Sequence, residues 1–263
     1  MDLKMEKDFR EHFFKFKQKI VDGERFAFAR YSDGEMFILQ NKELVLDQGI
    51  AKVGNKVNRA HYRPLDFKNF NPNKHQIVRK RLIESFQFKK DGYYKGVSCS
   101  CCVGKDNFDW QIDLHDGDDD SLTWANLWVN GNYPLFMKEV VPIFSKNKCV
   151  FIGHETAKLD KFPYIVKDFR IGYNAMVNDY DKIDNILDWI GENNIEDHIF
   201  LFSASSFSNL AIYRLFDKYP KNTYIDIGTT LSREMGMPVS RGYINAYYGA
   251  GSGGNLNKIC VWN

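Results

Sequence analysis

Three short apolar runs constrain this chain most: Lys148–Ile152, His198–Phe202 and Thr223–Ile227, separated from one another by stretches of helical periodicity. Each run is too short for a helix of its own and too uniformly apolar for a strand with one wet face, so each reads as a strand covered on both sides. Between them, Ile183, Ile186, Leu187 and Ile190 recur at helical spacing, and Phe207–Tyr219 reads as a second helix. Strands alternating with helices predict an α/β, Rossmann-like fold, a mostly parallel sheet with helices on both faces. In such sheets ligands bind beyond the carboxyl ends of the strands. That rule singles out the loops Tyr31–Glu35, Gly153–Glu155, Ser203–Ser206 and Asp226–Thr230.

The amino-terminal half fits the same scheme less regularly. Phe9, Phe13, Phe16 and Ile20 line one helical face that stops at Gly23. Phe26–Ala29 reads as a buried strand, Tyr31–Gly34 as a turn, and Glu35–Leu39 as the start of a helix. An irregular loop is expected between His61 and Asn73, a basic helix from about Lys74 to Lys90, and a strand over Tyr93–Cys101. The polar, acidic segment Gly104–Asp120 reads as a loop, Trp124–Phe144 as helical material, Tyr164–Ile171 as a short strand, and Gly249–Gly254 as a flexible loop. Trp124, Trp128 and Tyr133 are expected in the core. We expect one domain spanning residues 1–263.

Charge excludes some classes. With 36 Lys and Arg against 34 Asp and Glu the net charge is only +2, and the densest basic run, Arg79–Arg81, falls on a helix face. No nucleic-acid partner is expected. No apolar run is long enough to cross a bilayer, and the first residues lack the apolar stretch of a signal peptide, so a cytoplasmic protein is expected. Five cysteines, three of them at Cys99, Cys101 and Cys102, read as reduced buried thiols and not as zinc ligands. No Walker A, G-x-S-x-G, H-E-x-x-H or G-x-G-x-x-G pattern occurs at a useful place.

Chemistry concentrates in the four loops. Asp33 and Glu35 flank a glycine after the first strand; hard carboxylate oxygens aimed from one turn suit Mg²⁺ or Mn²⁺, although the same spacing also makes an ordinary turn with a helix cap. Arg30 and Ser32 add groups suited to phosphate, and Arg30 is equally able to pair with a carboxylate. Ser203, Ser205 and Ser206 lie between a strand and a helix, where hydroxyls and free N–H groups cradle an anion or simply cap the helix. Asp226 sits in an apolar strand and needs a partner or a cleft. His154 and Glu155 follow a strand and are candidates for a general base acting on an acceptor hydroxyl. Thr229 is a candidate ligand contact. The acidic run His115–Asp120 reads as a solvated loop.

The order of Phe28-Ala-Arg-Tyr-Ser-Asp-Gly-Glu35, then Asn174-Ala175, then Leu201-Phe-Ser-Ala-Ser-Ser-Phe-Ser-Asn-Leu-Ala211 and Tyr224-Ile-Asp-Ile-Gly228 resembles the GT-D-type glycosyltransferases. Their pattern is R-Y-G-D-G-E, a later N-A pair, and G-P-x-A-K-x-L-A followed by D-I-G-H. Here Ser32 replaces a glycine, Ser205 and Ser206 stand in a turn that is usually more basic, and Thr229 replaces the histidine. The resemblance implies a metal-dependent hexosyltransferase that takes a nucleotide-diphosphate sugar, UDP-linked, as donor and a glycan or glycoconjugate as acceptor. It places Mn²⁺ or Mg²⁺ on Asp33 and Glu35, Arg30 beside the diphosphate, and Asn174 with the Ser203–Ser206 turn at the donor. The alternative is a carbohydrate- or nucleotide-binding module of the same fold without turnover.

Overall fold

The computed structural model describes residues 4–61, 67–239 and 241–249. Among these, seven parallel strands form one sheet. They are β1 (Ala27–Tyr31), β5 (Tyr93–Val97), β6 (Leu122–Trp124), β7 (Cys149–His154), β8 (Ile165–Ile171), β9 (Ile199–Ser203) and β10 (Thr223–Asp226), in the order β6-β5-β1-β10-β9-β7-β8. Every residue of β7 and β10 is buried, as expected for strands covered on both faces.

One face carries α2 (Asp33–Leu39), α3 (Gln76–Gln87), α5 (Lys105–Leu114), α9 (Lys182–Glu192) and α10 (Ser206–Lys218), packed on Val97, Val150, Phe200 and Tyr224. The other face carries most of α1 (Phe9–Val21), the helical run α6 (Tyr133–Leu135) and α7 (Val141–Phe144) with a π-helical turn at Phe136–Val140 between them, and α11 (Gly242–Tyr247). Phe13, Phe16 and Ile20 of α1 bury against Phe26, Phe28 and Trp128, with the rings of Phe16 and Trp128 edge to face at 6.3 Å. Asp8 caps α1 by accepting from Glu11 N, and the chain leaves the helix through Gly23 at φ +67°.

Several expectations change. Residues 104–120 are not a loop: Lys105–Leu114 is helical because Phe108, Gln111 and Ile112 recur on one buried face amid charged neighbours. The strand expected over Tyr93–Cys101 stops at Val97, and Ser100–Val103 begins the short helix α4. Trp124 ends β6 before the expected helical material. Trp124, Trp128 and Tyr133 are all buried in the core, as expected. A second, antiparallel sheet, with order β3-β2-β4, combines β2 (Leu44–Val53), β3 (Lys56–His61) and β4 (Lys68–Phe70). Residues 250–254 of the expected glycine-rich loop lie outside the described residues, as do 62–66 of the loop expected before Asn73.

Candidate active site

The chain leaves β1 toward β5 and β6, and later returns from the opposite edge to place β10 beside β1. The crevice at this reversal is a cleft of about 610 Å³. Strand ends reach it from β1, β5, β7, β9 and β10, which is where the parallel-sheet rule places a ligand.

Arg30 is the last-but-one residue of β1. Its Nε donates to Ala125 O, and its guanidinium lies 3.9 Å from Asp226 Oδ1. Asp226, at the end of β10, also accepts from Gly228 N at 2.8 Å. Burial pushes the Asp226 carboxyl up to about 6, with Arg30 and the Gly228 N–H opposing. Gly228 has φ +53°, and a Cβ there would overlap the Arg30 guanidinium, so this turn admits glycine for two separate reasons.

Asp33 and Glu35 occupy the first turn of α2, yet their surroundings differ sharply. Asp33 is exposed at the cleft and accepts from Gly34 N at 2.9 Å. Glu35 is buried: Oε1 accepts from Lys68 Nζ and Ser206 Oγ, both at 2.6 Å, and Oε2 accepts from Ser32 N at 3.1 Å. Burial alone would raise the Glu35 carboxyl, but Lys68 and the donated hydrogen bonds outweigh it and hold it below its usual value. A Cβ on Gly34 would stand 2.8 Å from Lys68 Nζ, so the glycine lets the ammonium reach the turn. As ligands for an ion, the turn offers one open carboxylate, Asp33, and a second, Glu35, that is buried with Oε1 already held by Lys68 and Ser206 and Oε2 by Ser32 N.

The expected phosphate residues are partly spent on this arrangement. Ser206 binds Glu35, so its hydroxyl is not part of an anion cradle. Asn174 brackets β4: Asn69 N donates to its Oδ1 and its Nδ2 donates to Asn69 O, both at 3.1 Å. It thereby holds in place the strand that carries Lys68. Ser203, Ser205 and Thr229 line the cleft, and Thr229 Oγ1 lies 3.1 Å from the Tyr243 hydroxyl. Ser205 precedes α10 at φ +53°, ψ −143°, a region that L residues avoid. Ser205→Gly is therefore expected to stabilise the chain by about 1 kcal/mol in chemical denaturation, strain relief outweighing the added freedom of the unfolded chain.

His154 lines the cleft at the end of β7 and is buried. Its Nδ1 lies 2.9 Å from Thr156 Oγ1 and 3.2 Å from Thr156 N. Burial lowers its basicity against the opposing charge of Glu155. Nε2 has no hydrogen-bond partner among the described residues. His154 is thus placed at the cleft with Nδ1 held by Thr156 and Nε2 buried. Glu155 is exposed and is not brought to the cleft.

Lys68 escaped the sequence reading because nothing local distinguishes it. It lies in Phe67-Lys-Asn-Phe70, and its partner is 33 positions earlier. The cysteines also differ from expectation: Cys99 is buried, Cys101 and Cys102 are exposed, and Cys99 and Cys102 stand in C-x-x-C spacing. None of the described helices is long and apolar enough to cross a membrane.

No family model and no curated protein matches the sequence. Solved structures do. One is a selenomethionine structure of the domain of unknown function 1792, at TM-score 0.55 and 14% identity, covering 93% of this chain and 89% of that one. Another, described as showing that this highly conserved domain has a distinct glycosyltransferase fold, superposes at TM-score 0.56 and 13% identity over the same shares. A third, a glycosyltransferase from Streptococcus sanguinis, gives a TM-score of 0.44 at 14% identity, covering 87% of this chain and 85% of that one. Seven parallel strands, helices on both faces and a cleft at the strand-order reversal accordingly belong to the distinct glycosyltransferase fold of the domain of unknown function 1792.

Proposed function

We propose that the chain transfers a hexose from a nucleotide-diphosphate sugar, UDP-linked, to a hydroxyl of a glycan or glycoconjugate. The observation that supports this most is a pair of cationic side chains from separate elements, Arg30 and Lys68, lining one cleft at the switch point of a glycosyltransferase fold. A diphosphate leaving group needs positive charge where its own negative charge grows, and groups held in place before the reaction supply it without reorganisation. The first N–H groups of α10 add donors on the same side.

A divalent ion, Mn²⁺ or Mg²⁺, is part of the same proposal. Asp33 would hold it, joined by Glu35 in exchange for the Lys68 contact. Bound there, such an ion supplies charge to the departing diphosphate. Asp226 takes the proton of the acceptor hydroxyl: it lines the cleft, and a carboxylate titrating at about 6 is mostly ionised at neutral pH while remaining a better base than an ordinary aspartate.

Thermal unfolding with a panel of nucleotide sugars tests the donor. A UDP-hexose at 100 times its Kd is expected to add about 2.7 kcal/mol, or several degrees in Tm. No shift with any nucleotide sugar, with or without Mn²⁺, would remove the reading. Release of UDP that depends on an acceptor separates a transferase from a binding module.

The pH dependence tests the base. Transfer efficiency is expected to rise with pH through about 6, and Asp226→Asn to abolish that limb. Stability runs the opposite way. With its folded value raised above the unfolded one, Asp226 contributes stability that is fully present below the usual aspartate range and is lost as pH rises through about 6. Urea titrations of the wild type and Asp226→Asn between pH 4 and 7 should differ by that slope, the wild type losing stability relative to the variant as pH rises.

A further inference from the structure

The cleft has a second cluster that donor chemistry does not use. Beyond β5 the chain passes through Ser98 and Cys99 and turns into α4, and the turn is closed by Cys102 N and Val103 N donating to Cys99 O at 3.0 and 3.2 Å. This fold-back brings the Sγ atoms of Cys99, Cys101 and Cys102 within 4.8 Å of one another, with Cys99 and Cys101 at 2.8 Å. The segment is clamped from α5: Gln111 Oε1 accepts from Ser98 N at 3.1 Å and Gln111 Nε2 donates to Ser98 O at 3.4 Å. Cys99 and Cys102 line the cleft. Asn126, whose Nδ2 is 3.8 Å from Cys99 Sγ, buries an Oδ1 that has no hydrogen-bond partner among the described residues.

We propose that Cys99, Cys101 and Cys102 form a three-thiolate site for one soft divalent cation of the zinc class. Thiolates select such ions over Mg²⁺ and Mn²⁺, so this site is chemically separate from the carboxylates of α2. In a tetrahedral Zn–thiolate site, bonds of about 2.3 Å put the sulfurs about 3.8 Å apart. The cluster needs only a small opening between Cys99 and Cys101, which the exposed Cys101 side chain can supply. Binding forms three metal–sulfur bonds and releases the thiol protons to solvent. Among the described residues, the Asn126 side-chain oxygen, or else a water, completes the fourth position. Cys149 belongs to a different class: it stands in the core with its thiol pushed up to about 12 by burial.

Cobalt(II) titration of the reduced full chain tests the site. One equivalent is expected to bind with thiolate-to-cobalt charge-transfer and tetrahedral ligand-field absorption, and Zn²⁺ to displace it. Cys101→Ser and Cys102→Ser, both at exposed positions, should each weaken binding about 100-fold or more, since losing even an outer-shell partner of a metal site costs 10–100-fold. Cys149→Ser should bind as the wild type does. Absence of the charge-transfer band, or its persistence in the Cys101→Ser/Cys102→Ser double variant, overturns the proposal. None of these outcomes depends on whether the chain transfers sugar.

Discussion

Glu35→Ala is expected to lower the free energy of unfolding by about 3–5 kcal/mol, the cost of stranding one member of a buried ion pair. The Lys68 ammonium and the Ser206 hydroxyl both terminate on Glu35 Oε1, and Ser32 N terminates on Oε2. Removing the carboxylate leaves a nearly buried cation with nothing to balance it. The double variant Glu35→Ala/Lys68→Met should recover most of the loss, because an apolar pair costs less than a lone buried charge. Asp33→Ala sets the contrast. Its carboxylate is exposed, so stability should change by less than about 0.5 kcal/mol, while donor turnover falls. Urea denaturation of the four proteins checks the first claim, and a large loss in Asp33→Ala with none in Glu35→Ala would refute it. Lys68→Met alone should also tighten Mn²⁺ binding about tenfold, or about 1.4 kcal/mol, by removing the cation that competes for Glu35. Paramagnetic resonance of free Mn²⁺ measures that directly.

Arg30→Met is expected to reduce transfer by about 10²–10³-fold, the range found when one preorganised donor to a charged transition state is lost. The same change alters Asp226. Arg30 is the main influence holding that carboxyl down against its burial, so its removal moves the midpoint upward from about 6. The acid limb of the pH–rate profile should therefore shift to higher pH in Arg30→Met, which a merely structural role for Arg30 would not produce. The sign for stability follows: as the folded value rises further above the unfolded one, the pH range over which stability is lost extends upward. A profile with unchanged midpoint would separate Arg30 from Asp226 and remove the proposed base.

The strained turns at the site respond to the same needs. Gly228 takes φ +53°, which favours glycine, and packs directly against the Arg30 guanidinium, and Gly34 packs against the Lys68 ammonium. Ser205 stands in an equally unfavourable backbone region without being a glycine. Strain of that kind persists where the surrounding structure over-determines a residue, here between the end of β9 and the start of α10 at the cleft.

Local pattern by itself determined the layered α/β fold, because continuous apolar runs such as Cys149–Ile152 and Phe200–Phe202 have no soluble placement except between two layers of helices. It also picked out strand-end loops that line the cleft, since their placement is dictated by the order of elements along the chain. It did not reach the residue contacts. The 44–61 hairpin lacks strong alternation, and Lys105–Leu114 hides three buried residues among charges. The partner of Glu35 lies on a short strand of another sheet, Asn174 serves that strand and not the cleft alone, and Ser206 turns away from phosphate toward a carboxylate. Those pairings join residues 33, 105 and 171 positions apart. A buried charge is satisfied by whichever group the packing brings near, and sequence spacing carries no record of that. The chemistry of Asp33, exposed and open, and of Glu35, buried and already paired, was therefore decided only in the tertiary structure.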